Sequence, residues 1–195
     1  MGDVLNIEIP LHWKPVPVDG GHFSWHRNPP KSARARDTIS GPRVYRWVLR
    51  KVTGEIASVY IGQSERFQGR VSAYRKGKQT PLEPDGAVQS AIKEWEENGG
   101  KVELQFLDLE IEPFCINGER VTIPSLGYQD TRLMMESIAI FSSRASGLKV
   151  LNRLQENVHV KELRRLLPHI VKDSRKTEQI LSMVLSMLRP RPPGS

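Results

Sequence analysis

The chain of 195 residues is 38% hydrophobic and 26% charged with a single cysteine, Cys115. That is enough for one ordinary domain with an appendage and too apolar for disorder, and it excludes an internal disulfide framework or a cysteine-based zinc site. The formal charge of +7 is local: from Arg27 to Lys78 there are 13 Lys+Arg against three acids, a net +10, which leaves the rest of the chain at −3. Such a block points to a polyanion partner, nucleic acid first, over the blander reading of a solvated basic face.

There is no run of 18 or more apolar residues, and the opening MGDVLNIEIPLHW lacks the basic start and apolar core of a signal peptide. We therefore expect a cytoplasmic protein with no membrane partner.

Taken in order, residues 1–42 read as an N-terminal arm. An alternating run from Val4 to Ile9 suits an edge strand that Pro10 would end. The following stretch is rich in Pro, Gly and bulky aromatics, and predicts a loop anchored by tryptophans. His22 and His26 are four apart, but no third ligand completes a zinc set. Arg34 and Arg36 are placed to touch phosphates if a polyanion binds, or to solvate a tether if none does.

Residues 43–51 and 56–61 are β-branched, aromatic and apolar, and predict a hairpin joined near Thr53-Gly54. Gly62 then reads as a tight turn into a helix capped by Ser64, on which Arg66, Arg70 and Tyr74 recur every four residues on one face. A second helix is expected over 86–98 and a third strand over 101–109. The Asn117-Gly118 pair between β-formers predicts a hairpin inserted near 110–127. A very apolar helix follows over 130–143 with Glu136 at its middle, then a short Lys149-Val150-Leu151-Asn152 segment. Two amphipathic helical pieces, before and after Pro168, fill 157–188. The domain plan is thus an arm (1–42), a core (43–153) and a C-terminal helical extension (154–195).

Cleaving a phosphodiester needs an activated water, a cation on the phosphate and neutralisation of transition-state charge. Tyrosine is a weak base at neutral pH unless nearby cations lower its pKa, and arginine presents a planar fork to phosphate. Tyr45 and Tyr60 on paired strands, Arg70 on the next helix and the lone Glu136 supply these groups. Singly, each has a plainer reading: strand tyrosines pack, helical arginines face water, and mid-helix glutamates are exposed.

Their order resembles the GIY-YIG nuclease family. Tyr60-Ile61-Gly62 is the second motif literally, and GQSERFQGRVSAY after it is similar to the same segment in the N-terminal nuclease domain of the excision-repair subunit UvrC. The first motif reads Arg43-Val44-Tyr45, keeping the tyrosine without the glycine, and Gln63 stands where that repair enzyme often has lysine. The resemblance covers about 43–153. It implies an α+β fold with a small antiparallel three-stranded sheet flanked by helices. It also implies a catalytic set of Tyr45, Tyr60, Arg70, Tyr74, Glu136 and Asn152. Glu136 would hold one Mg²⁺ or Mn²⁺ per active site, Tyr60 with Tyr45 beside it would activate water, and Asn152 would be mainly structural. Products would carry 5′-phosphate and 3′-hydroxyl ends.

The partner so implied is double-stranded DNA, with Arg34, Arg36, Arg43, Arg46, Gln63, Arg66, Arg75, Lys76 and Lys78 as contacts. The size is similar to that of the family's compact type II restriction endonucleases, in which two copies act together on a palindrome. A structure-selective or repair-type nuclease is the second reading, and a catalytically inactive basic binding module the third.

Overall fold

A hairpin of eight- and nine-residue strands forms the middle of the molecule, because its apolar residues alternate to feed a core on each side. The computed structural model describes residues 7–8, 11–16, 40–76, 84–109, 114–116, 119–121, 123–152, 156–170 and 174–187. In chain order these form β1 (Ile7–Glu8), β2 (His12–Pro15), β3 (Arg43–Arg50), β4 (Ile56–Ser64), α1 (Phe67–Lys76), α2 (Pro84–Glu97), β5 (Lys101–Asp108) and β6 (Phe114–Ile116). β7 (Glu119–Val121), α3 (Gln129–Ala145), β8 (Lys149–Val150), α4 (Glu156–Ile170) and α5 (Ser174–Met187) complete them.

The fold is α+β, with a mixed five-stranded sheet in the order β2-β5-β3-β4-β8. Strands β5, β3 and β4 pair antiparallel, but the sheet they belong to has five strands where the sequence suggests three. Two short strands widen it. β2 adds antiparallel to β5, pairing His12 with Asp108 and Pro15 with Gln105. The loop expected over these residues is thus a strand at its start, and Pro15 is tolerated because β2 is the sheet edge. β8 adds parallel to β4, Ser58 opposite Lys149 and Val59 opposite Val150, after the chain has crossed over through α3.

The strands of the hairpin expected around Asn117-Gly118 pair, Phe114 with Val121, and the two turn residues lie outside the described residues. It takes β1 as a third strand through Ile7–Ile116 and Glu8–Cys115, so arm and insertion make one small separate sheet.

Each face of the large sheet carries its own core. Tyr45, Trp47, Leu49 and Tyr60 pack with Val102 and Leu104 against Phe67 and Val71 of α1 and Val88 and Ile92 of α2. Val44, Val48, Val59 and Ile61 pack on the other side against Met134, Met135, Ile138 and Phe141 of α3. Leu163 and Leu167 of α4 and Ile180 and Leu181 of α5 belong to this second cluster. Pro168 does not divide the C-terminal helices as expected; it lies inside the last turn of α4, where its missing N–H forfeits the one bond to the Arg164 carbonyl, and the break comes after Ile170. No helix among the described residues is long and apolar enough to cross a membrane.

Candidate active site

Gly62 is not a turn. It lies within β4, directly opposite Tyr45 on β3, and the helix starts only at Phe67. Its need for glycine is steric: a Cβ there would sit 2.7 Å from the Tyr45 hydroxyl and 2.8 Å from the ring carbon that bears it. The missing side chain lets the Tyr45 ring lie across β4. Tyr45 is fully buried, its ring centroid 5.0 Å from that of Phe67. Tyr60 follows diagonally on the same face, opposite Trp47, and is also buried.

The turn between β4 and α1 is set by Ser64, whose Oγ accepts the Arg66 backbone N–H at 3.1 Å, while the Phe67 N–H reaches the Gly41 carbonyl. This entry aims α1 so that Arg70, one turn in, donates through Nε to the Tyr45 hydroxyl at 3.4 Å. The same guanidinium acts on Glu136 of α3. Burial raises the Glu136 carboxyl to a pKa of about 7, and Arg70 opposes that rise by favouring the ionised form. Arg70 thus bonds a phenol of the sheet and acts through its charge on a carboxyl of α3.

Asn152, two residues past β8, closes the arrangement. Its Oδ1 accepts the Ile61 N–H at 2.9 Å and its Nδ2 donates to the Ile61 carbonyl at 2.6 Å. A side-chain amide thus replaces a neighbouring strand where β8 stops, continuing the bond from Leu151 N–H to the Val59 carbonyl. Ile61 is the residue just before Gly62, so this clamp fixes the strand on which Tyr45 rests.

The remaining expected residues are dispersed. Gln63 accepts at Oε1 from Arg132 Nε at 3.1 Å. Arg43 donates through Nη1 to the Pro42 carbonyl and lies 5.7 Å from the Phe106 ring centroid. Arg66 is exposed just ahead of α1. Tyr74, Arg75 and Lys76 fall in α1, but their side chains lie outside the described residues, as do Arg34, Arg36, Lys78, His22 and His26 altogether. Arg46 is on the opposite face of β3 from Tyr45. It donates to Gln105 Oε1 at 2.6 Å and stacks 4.5 Å above Trp13, while Gln105 donates to Glu103, which also accepts from Arg50. Burial brings the Arg46 guanidinium down to about 10, against the pull of Glu103 and with that of Arg50.

Arg132 escaped the sequence reading. The available signal is a charged residue at the start of the apolar stretch of α3, four before Glu136 in ThrArgLeuMetMetGlu.

No cluster of three or more His, Cys, Asp or Glu capable of holding a metal occurs among the described residues. Were a hard cation bound, Glu136 would supply one carboxylate and the other oxygens would come from water and a phosphate. No protein-family model, curated protein or solved structure matches the chain.

Proposed function

We propose that this protein is a divalent-metal-dependent DNA endonuclease of the GIY-YIG type, using Tyr45, Arg70 and Glu136 on the scissile phosphate. One observation carries the reading: beside Gly62, where a side chain would displace Tyr45, Arg70 donates to the Tyr45 hydroxyl and its charge favours the ionised form of the Glu136 carboxyl. A purely structural core gains nothing from gathering a phenol, a guanidinium and a buried acid in one place, since burying charge is costly.

Each group has a task there. A hydrogen bond donated by Arg70 to the Tyr45 oxygen favours the deprotonated phenol, the form able to take a proton from the attacking water. The guanidinium has further N–H groups with which to meet charge developing on the phosphate. Glu136 would hold one Mg²⁺ or Mn²⁺, which when bound polarises a phosphate oxygen. A carboxyl whose pKa burial has raised to about 7 gains from such a cation, because the cation compensates the charge that burial disfavours. Tyr60, on the same sheet face, supports the Tyr45 side of the site, and Asn152 holds the strand beneath it. The products are 5′-phosphate and 3′-hydroxyl ends.

Among nucleases of this type, a sequence-specific restriction endonuclease is the reading we favour. The arm and the 114–121 hairpin join in a small sheet set apart from the large one, and such a decoration can contact DNA beyond the cleavage site.

The test is incubation of purified protein with plasmid and phage DNA, in Mg²⁺ and in EDTA. Discrete Mg²⁺-dependent fragments are expected. Cutting confined to flaps or junctions would instead favour structure selectivity. Glu136→Ala should lower cleavage by roughly a hundredfold or more while salt-dependent DNA binding persists. Cleavage undiminished in that variant would refute the assignment of Glu136.

A further inference from the structure

Arg132 is buried, 4% exposed, on the face of α3 that also carries Glu136 one turn later. Its Nη1 donates to the carbonyls of Leu126 at 2.8 Å and Gly127 at 2.9 Å, the segment leading into α3, and its Nε donates to Gln63 Oε1. All three acceptors are neutral. No carboxylate lies within ion-pair distance of this guanidinium among the described residues. A buried cation without a counter-ion is costly, and folded proteins ordinarily pair such charges.

The bond to Gln63 has a directional consequence. Arginine only donates, so it can meet only the oxygen of the glutamine amide, and this fixes which way the amide is turned. Its two Nε2 protons then point away from Arg132. Gln63 is half-exposed and follows Gly62 directly, and none of the described residues accepts from its Nε2. An oriented, unused donor, backed by an uncompensated positive charge, stands next to the glycine on which Tyr45 rests.

We propose that Arg132 and Gln63 form a phosphate-binding subsite. Gln63 donates Nε2–H to a non-bridging oxygen of the DNA backbone, and Arg132 is a positioning residue that sets the amide and supplies the positive potential behind it. The inference rests on the nuclease reading, in which Gln63 is already a DNA contact, and extends it by placing Arg132 behind that contact. The phosphate completes what the fold leaves unmet: an acceptor for Gln63 and an anion for Arg132. The subsite holds the DNA backbone in register with Arg70 and Glu136, and because the donor is neutral it does not compete with Arg70 for the carboxyl.

The experiment uses the full chain on supercoiled plasmid, in Mg²⁺ and in EDTA, with thermal melts of every variant. Gln63→Glu keeps the size and the acceptor for Arg132 but replaces the outward donor with a repelling oxygen. The melting temperature should hold or rise, while Mg²⁺-dependent cleavage falls at least roughly tenfold, the scale of a lost hydrogen bond to a charged group. Arg132→Met should also slow cleavage in the wild-type background. In a Gln63→Ala background it should change the residual rate by no more than about twofold, since residues that act as a unit are non-additive. Gln63→Glu cleaving as fast as wild type, or additive losses in the double variant, overturns the subsite and leaves the nuclease standing. Wild-type protein that does not cut, or cuts no better than Glu136→Ala, overturns both. If Arg132→Met does not fold, the Gln63→Glu result decides.

Discussion

Glu136 shows how one residue can be set against the stability of its own fold. Its carboxyl is raised from 4.5 to about 7 chiefly by burial, with Arg70 opposing. Between those two values the folded chain binds a proton that the unfolded chain has lost, so stability falls as pH rises across that window. The shift corresponds to something on the order of 3 kcal/mol at most, because the carboxyl keeps partial contact with solvent. Glu136→Gln, which cannot ionise, should therefore match wild type near pH 5 and melt higher than wild type at pH 8 in EDTA. A melting series of both proteins from pH 5 to 8 reads this directly; parallel curves would mean the carboxyl is not held in a desolvated place. Mg²⁺ should raise the melting temperature of wild type at pH 8 and leave that of the variant unchanged.

At the scale of elements, β4 is the strand on which the site is built, and its outer edge is protected in two ways. β8 covers Ser58 and Val59, and the Asn152 amide covers Ile61. Asn152→Ala leaves an N–H and a carbonyl without these partners, which should lower stability by roughly 1–3 kcal/mol and slow cleavage through displacement of Gly62 and Tyr45. Thermal melting together with plasmid cleavage checks this; a variant with unchanged melting temperature and rate would reduce the clamp to a surface contact. Much of this architecture is legible in the chain. The β3–β4 hairpin is announced by its β-branched runs around Gly54, α3 by its apolar periodicity, and the β6–β7 hairpin by Asn117-Gly118. β2 and β8 are not, because four and two residues carry no periodicity and form only by pairing with strands already present. The role of Gly62 is hidden for a related reason. A glycine before a helix suggests a turn, whereas its purpose depends on the ring of a residue seventeen positions earlier. The bond from Arg132 to Gln63 spans 69 positions and leaves only a weak local trace.

For the molecule as a whole, the question is whether the C-terminal helices are an extension or part of the body. A boundary near 153 follows naturally from the motif order, since Asn152 closes the set that the resemblance supplies. Packing argues otherwise. Leu163, Leu167 and Ile180 are fully buried, Leu181 nearly so, and all four share one cluster with Val44, Ile61 and Met135. At roughly 1.5–3 kcal/mol per buried aliphatic side chain, these residues contribute about as much as the entire net stability of an ordinary domain. Removing 154–195 would also bare the outer face of α3, the helix that positions both Arg132 and Glu136. A fragment of residues 1–153 should therefore show no cooperative melt and should bind a hydrophobic dye, whereas Leu167→Ala in the full chain should fold with a loss of roughly 2–5 kcal/mol. A cooperative transition in the fragment near that of the full chain would make the helices an appendage after all, and would free them for a separate role on DNA. Loss of the transition would mean that α4 and α5 complete the core behind α3, and that the site depends on them.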